Sequence, residues 1–263
     1  MKLKNGFTVL VTGAGGFLGK ELVKQLLEDK SINIVAITSN VERLTKDFGE
    51  VPNLKVLHTE HWVDRIENAD ILINCAFPRT SNPKQLAEGI LLTENVIKNA
   101  VKINIKSIIN ISSQSVYSQK EKTTINESAT VSPESLYGMT KYACERIVSM
   151  LCEINHINYS NIRLASLTGF DLEVRMTNRF VKAAINGGTI KVEGGKQKIS
   201  YLEVRDAAAA IVAMIKVDPV KWKNVYNLGN NNYFTILELV KYIKKIASEY
   251  SIENVNVEIK QGQ

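Results

Sequence analysis

Tyr137 and Lys141 stand one helical turn apart in YGMTK, at the start of a stretch with helical apolar spacing. That spacing sets a phenol and an ammonium on the same face. A phenol is a poor acid or base near neutral pH until a nearby cation and hydrogen bonds stabilise its phenolate, and Lys141 can supply that charge. Upstream, the apolar run SIINI passes into SSQSVY.

A second group of residues points to a ligand. In VLVTGAGGFLGKELVKQLL, residues 9–27, glycines recur at 13, 16 and 19 between an apolar run and an amphipathic one. Gly13 permits a tight turn at the strand end, and Gly16 lets a pyrophosphate approach the backbone. Gly19 lets the next helix press on the strand, with its N-terminus facing the phosphates. The context of strand before and helix after is the one a dinucleotide fingerprint requires. Phe17 and Leu18 at the helix start join these glycines as candidates for the dinucleotide's contacts.

Positioning these groups requires a sheet with helices. Apolar runs of strand length fall at 7–12, 33–37, 54–57, 70–74, 107–111 and 159–164. Helical periodicity covers 17–28, 83–101, 135–154, 176–186, 205–217 and 235–248. The second helix from this set opens SNPK, with Ser81 or Asn82 as cap and Pro83 in the first turn. This alternation predicts an α/β fold, a doubly wound parallel sheet. Glycines gather over 187–195, where a smaller, looser region is expected to hang from the carboxyl edge and hold the substrate. The expected division is a dinucleotide-binding domain over 1–165, to which 200–229 return. Residues 166–199 and 230–263 make a small C-terminal substrate lobe.

Composition narrows the classes. A chain of 263 residues, 44% apolar, is long enough to bury a full core. MKLKNGF carries no apolar run of leader length and no segment approaches a membrane span, so a cytoplasmic protein with no membrane partner is expected. The net charge of +6 comes from scattered lysines rather than a stripe, which argues against nucleic acid and for a mild preference for anionic small molecules. Cys75, Cys144 and Cys152 have no ligand-type spacing and read as reduced structural thiols. His58 and His61 lack a third ligand, so no metal is expected, and Trp62 and Trp222 read as packing anchors.

The spacing T-G-x-x-G-x-x-G, together with Y-x-x-x-K and the strand-end serines, resembles the extended branch of the short-chain dehydrogenase/reductase superfamily, the NAD-dependent epimerase/dehydratase family. NCAFP (74–78), TENVIKNA (93–100), VRDAAAAI (204–211) and VYNLG (225–229) resemble further family segments, so the likeness covers nearly the whole chain. It implies a Rossmann-type fold in which Tyr137 exchanges a proton with the substrate's hydroxyl or carbonyl. Lys141 lowers the pKa of Tyr137 and holds the nicotinamide ribose. Counting back from Val116 and Tyr117 makes Ser113 the hydroxyl that polarises the same oxygen, with Ser112 as fallback. Cys75, Ala76 and Phe77 fall where the family lines the cofactor. The helices 83–101 and 135–154 would carry a homodimer contact.

The cofactor is decided where the second strand ends, in ITSNVER. A carboxylate there would accept the ribose hydroxyls of NAD. None stands at Ile37, Thr38, Ser39 or Asn40, and hydroxyls, an amide and Arg43 suit a 2′-phosphate, with Glu42 dissenting. NADP is therefore expected in preference to NAD. Gln114 and Ser115 occupy the place of the dehydratases' acid pair, which sets dehydration aside.

The expected activity is reduction of a keto group on a sugar, nucleotide-activated. The alternatives are an epimerase with bound NAD and, from another class, a non-catalytic dinucleotide-sensing regulator, which would not need Ser113, Tyr137 and Lys141 together. Ile199 stands where many relatives place a diphosphate-binding arginine. Gln114, Ser166, Arg179 and Arg205, with Lys196 and Lys198, are then the candidate substrate contacts. The chain stops at Gln263, soon after its last helix, where relatives add to the lobe, so a small lid is expected.

Overall fold

The computed structural model describes residues 6–118, 125–170 and 176–260; residues 1–5, read above for a leader, lie outside these. The chain begins β1 (Phe7–Thr12), α1 (Phe17–Leu26), β2 (Ile32–Thr38), α2 (Val41–Phe48), β3 (Leu54–His58) and β4 (Ile71–Asn74). It continues α3 (Pro83–Lys102), β5 (Ser107–Ser113), α4 (Leu136–Ile154), β6 (Asn158–Leu164) and β7 (Ser166–Thr168). Then follow α5 (Met176–Ile185), β8 (Thr189–Glu193), β9 (Lys198–Ile199), β10 (Tyr201–Glu203) and α6 (Val204–Met214). The last elements are β11 (Val225–Leu228), β12 (Phe234–Thr235), α7 (Ile236–Glu249) and β13 (Asn256–Lys260). Two compact units result. One runs to Leu164 and resumes over Val204–Leu228; the other comprises Ala165–Glu203 and the chain from Gly229.

In the first unit, the described residues form a seven-stranded sheet in the order β11-β6-β5-β4-β1-β2-β3, with every pair parallel. Every residue of β2 is buried, as expected of a strand covered on both faces. Helices α3 and α4 pack on one another, and α1 packs on α6. The core beneath α3 and α4 joins Leu10, Val35, Leu72 and Ile108 of the sheet to Val96, Ile97, Val148 and Cys152. Strand order reverses between β1 and β4, and a crevice opens beyond the carboxyl ends at that point.

A buried polar row crosses the sheet just below this edge. The Thr12 hydroxyl donates to Asn74 Oδ1 (2.7 Å), Asn74 to Asn110 Oδ1 (3.0 Å) and Asn110 to Asn161 Oδ1 (2.8 Å). These four side chains lie in register on β1, β4, β5 and β6. A slip of one residue would strand buried amides without partners, so the row fixes which residues reach the edge.

In the second unit, β8 and β13 pair in parallel. Phe180 of α5 and Leu239, Val240 and Ile243 of α7 bury Ile190 and Val192 of β8. The stretch 187–195, expected to be loose, therefore contains an ordered strand. Its glycines serve the turns at either end, with φ of 66° at Gly187 and 72° at Gly194. Thr235 and Glu238 form a reciprocal capping box on α7. No helix among the described residues is long and apolar enough to cross a membrane.

Candidate active site

The glycine loop is built as a close approach of backbone to backbone. Gly13 has φ of +65°, and a Cβ there would lie 2.9 Å from Ala76 N at the end of β4. A Cβ at Gly19 would lie 2.2 Å from Gly13 O, so α1 seats directly on the turn. Gly16 is the N-cap of α1, with no side-chain capping bond, whereas Asn40, Asn82, Ser135 and Thr235 cap α2, α3, α4 and α7 with their side chains. No side chain therefore competes for the first N–H groups of α1, those of Phe17 and Leu18, which fits the phosphates of a dinucleotide, while the Gly16 N–H itself donates to Gly13 O (2.9 Å).

This loop borders a cavity of about 500 Å³. Of the residues chosen from the sequence, Gly13, Gly16, Thr38, Ser39, Asn40, Arg43, Cys75, Ala76 and Phe77 line it. Phe17, Leu18, Gly19, Tyr137 and Lys141 do not; Leu18 and Gly19 are buried in the packing of α1, because a helix pressed onto its strand turns that face inward. Thr12 and Ile37 at the strand ends also line it, and Gly15, Leu44, Asp47, Thr59, Trp62, Leu92 and Val96, which sequence reasoning missed, complete the wall. Trp62 is both a packing anchor and part of that wall.

At the end of β2, Asn40 accepts from Arg43 N (3.0 Å), and Thr38 Oγ1 accepts from Asn40 N (3.2 Å). Arg43 is exposed at the cavity, and Glu42 is not among its lining residues. Asp47 is, and Lys20 of α1 pairs with it at 3.0 Å. Burial pushes the Cys75 thiol up to about 12, opposed by the nearby Lys141, so this cavity residue stays a neutral thiol.

Tyr137 and Lys141 lie on α4, whose first turn rests on the backbone following β5. Ser135 caps the helix by accepting from Gly138 N (3.0 Å), and a Cβ at Gly138 would come 2.1 Å from Ser115 O. Lys141 is buried and donates to Ile111 O (2.5 Å), two residues before Ser113. Its ammonium sits 4.3 Å from the centroid of the Phe77 ring, which meets the Tyr137 ring edge-on at 6.0 Å and 74°. Burial lowers the Lys141 pKa below the usual lysine range, against the influence of Cys144, Glu145 and Cys75. The sequence-chosen Ser113, Tyr137 and Lys141 thus gather at the carboxyl end of β5, beside the cavity wall.

Behind them runs a buried network that sequence reasoning missed. Ser112 donates to Glu145 Oε1 (2.5 Å), and Arg163 of β6 donates to both Glu145 oxygens and to the Tyr117 hydroxyl. Tyr117 in turn donates to Asn227 Oδ1 of β11 (2.9 Å). Burial works against the Arg163 charge, but its bonds to Glu145 and Tyr117 win, and its pKa is raised. The signals were an arginine inside the apolar strand YSNIRL and a glutamate one turn after Lys141.

Gln114 is exposed at the start of the 3-10 turn Gln114–Val116. Arg205 is exposed on α6, its carbonyl accepting from Gln25 of α1 (3.0 Å). Ser166 and Arg179 belong to the second unit, on β7 and α5; there Lys198 Nζ lies 4.2 Å from the Tyr233 ring. Among the described residues, no group of three or more His, Cys, Asp or Glu could hold a metal ion.

Sheet order and the strand–glycine loop–helix turn define a Rossmann-type α/β fold. Residues 9–229 match the sequence model of the NAD dependent epimerase/dehydratase family, and the chain belongs to that family. It is 24% identical to the UDP-glucose 4-epimerase of Halalkalibacterium halodurans, covering 90% of this chain and 80% of that protein. It is 22% identical to a dTDP-4-dehydro-6-deoxyglucose reductase of Escherichia coli, covering 92% and 81%. In fold it resembles the solved UDP-glucuronic acid 4-epimerase from Bacillus cereus in complex with NAD, with a TM-score of 0.84, 19% identity and coverage of 97% and 86%.

Proposed function

We propose that this chain is a nucleotide-sugar epimerase that works on a bound nicotinamide dinucleotide, with a UDP-hexose as the substrate class. The observation that carries the reading is the gathering of Tyr137, Lys141 and Ser113 at one strand end, joined through Phe77 to the wall of a cavity that the glycine loop opens. When bound, the dinucleotide supplies the hydride acceptor and donor. Tyr137 takes the proton of a sugar hydroxyl and returns one to the same oxygen. Lys141 stabilises the phenolate by its charge, and Ser113 hydrogen-bonds that oxygen. Ser113 suits this role better than Ser112, whose hydroxyl is committed to Glu145 within the core. The glycine loop at Gly13 and Gly15 and the first N–H groups of α1 would hold the pyrophosphate, and Arg43, Ser39 and Asn40 the ribose distant from the reaction.

The reductase expected from the sequence becomes the second reading. Arg43, Ser39 and Asn40 at a cavity whose nearby carboxylate, Asp47, is paired with Lys20 favour NADPH. The NADP preference draws no support from the similar solved structure, whose bound dinucleotide is NAD. A homodimer would use the outer faces of α3 and α4, where Leu91, Met139, Met150 and Ile154 are exposed.

The test is to identify dinucleotide released from the purified protein by mass spectrometry, then incubate the protein with UDP-glucose and UDP-glucuronic acid and follow C4 epimers by NMR. Retained dinucleotide and interconversion without net cofactor consumption support the epimerase. Stoichiometric NADPH oxidation with a keto-sugar nucleotide, and no interconversion, overturns it in favour of the reductase.

A further inference from the structure

We propose that Phe77 is a positioning residue, the aromatic support that holds Lys141 and Tyr137 in one arrangement; the proposal rests on the acid-base reading above. Phe77 follows β4 in NCAFP, and sequence reasoning gave it only a place in the cofactor wall. In the structure it reaches both members of the couple.

The Lys141 ammonium lies 4.3 Å from the ring centroid, well inside the range in which the negative face of an aromatic ring attracts a cation. The Tyr137 ring meets the same ring edge-on, the geometry that aromatic quadrupoles prefer. One ring therefore takes the cation and the phenol on either side of the turn that separates them on α4.

The ring is itself fixed. A Cβ at Gly89 of α3 would lie 2.8 Å from Phe77 Cε2, 2.9 Å from Cζ and 2.7 Å from Pro78 Cδ. The backbone of α3 thus comes closer to the ring than a residue with a Cβ at position 89 would allow without a shift. The support reaches from β4 through α3 to α4, and its exposed part faces the dinucleotide cavity. Burial alone drives Lys141 toward its neutral form, and a neutral amine could not stabilise a phenolate. A π face restores part of the solvation that burial removes. The titratable groups set against Lys141 are Cys144 and Glu145 on its own helix and Cys75 at the end of β4, with Tyr137 one turn before it.

The test uses the full-length protein in its wild-type, Phe77→Leu and Phe77→Tyr forms. Lys141 is followed by NMR of 13C-labelled lysine, assigned through Lys141→Met, and turnover is measured on UDP-glucose. Removing the ring should lower the Lys141 titration by about half to one pH unit and kcat about fivefold. Phe77→Tyr, which keeps the ring, should restore both, and matched thermal midpoints exclude unfolding as the cause. An unmoved titration in Phe77→Leu, or equal losses in the leucine and tyrosine forms, overturns the proposal. If the wild-type protein does not turn over UDP-glucose, the functional reading fails on that arm, while the titration still decides the role of Phe77.

Discussion

Arg163 holds Glu145 by two hydrogen bonds, Nε to Oε1 at 3.0 Å and Nη2 to Oε2 at 2.7 Å, with both side chains almost wholly buried. Glu145 lies one turn beyond Lys141, and its acceptor oxygen also receives Ser112, the neighbour of Ser113. The pair therefore ties β6 and the end of β5 to α4, the helix that carries Tyr137 and Lys141. Arg163→Met leaves a buried carboxylate without its partner and should cost about 3–5 kcal/mol in urea unfolding. Glu145→Leu combined with Arg163→Met should recover at least half of that. Additive losses in the double variant would mean that the two residues do not act as a pair.

The contact of α4 with the backbone after β5 predicts a large effect from one methyl group. Alanine favours a helix over glycine by about 1 kcal/mol, so Gly138→Ala should stabilise if α4 stood free. Because the added Cβ would meet Ser115 O, the helix must move away from Ser113, and kcat should fall about tenfold to a hundredfold. Turnover within twofold of wild type would contradict this packing.

The buried ammonium predicts a pH-dependent gain. Lys141 has a folded pKa below the ordinary lysine value of 10.5. Below that folded pKa it is charged in both states, and the burial penalty is full. As pH rises towards 10.5 the folded state sheds its proton first, and the penalty fades. Lys141→Met should therefore be more stable than wild type by about 1 kcal/mol near neutral pH, though inactive, and this advantage should shrink as pH rises. Thermal melts between pH 7 and 10 decide it, and a constant or growing gap would contradict the assignment.

At the far end of the cavity, Arg43→Ala should weaken NADPH about tenfold in fluorescence titration and leave NADH within about twofold, because only the former carries a 2′-phosphate for a guanidinium to meet. Equal effects on both would mean that Arg43 does not meet the 2′-phosphate.

The parallel sheet was legible because β1 to β6 are apolar runs bounded by turns, and the period of α3 and α4 is unambiguous. Local spacing likewise disclosed the glycine loop and the Tyr137–Lys141 turn. The missed elements are short or half polar. Helix α2 has eight residues with one fully buried side chain, Leu44, and its signals were the Asn40 cap and Gly49 just past its end. Strand β8 alternates exposed and buried residues between glycines, so its sequence read only as part of a looser region. Thr59, Trp62, Leu92 and Val96 reach the cavity only because α3 and the chain after β3 fold over the sheet edge, which no spacing encodes. The Glu145–Arg163 pair is of the same kind, two charges whose partnership exists only in three dimensions.

The central claim concerns the hydroxyl of Tyr137, and its removal is the most direct measurement. Tyr137→Phe keeps the ring against Phe77 and deletes only the proton carrier. The expected result is a loss of turnover on UDP-glucose of about 10²–10⁴-fold relative to the wild type, with dinucleotide affinity within about twofold. Unchanged turnover in this variant would contradict the account.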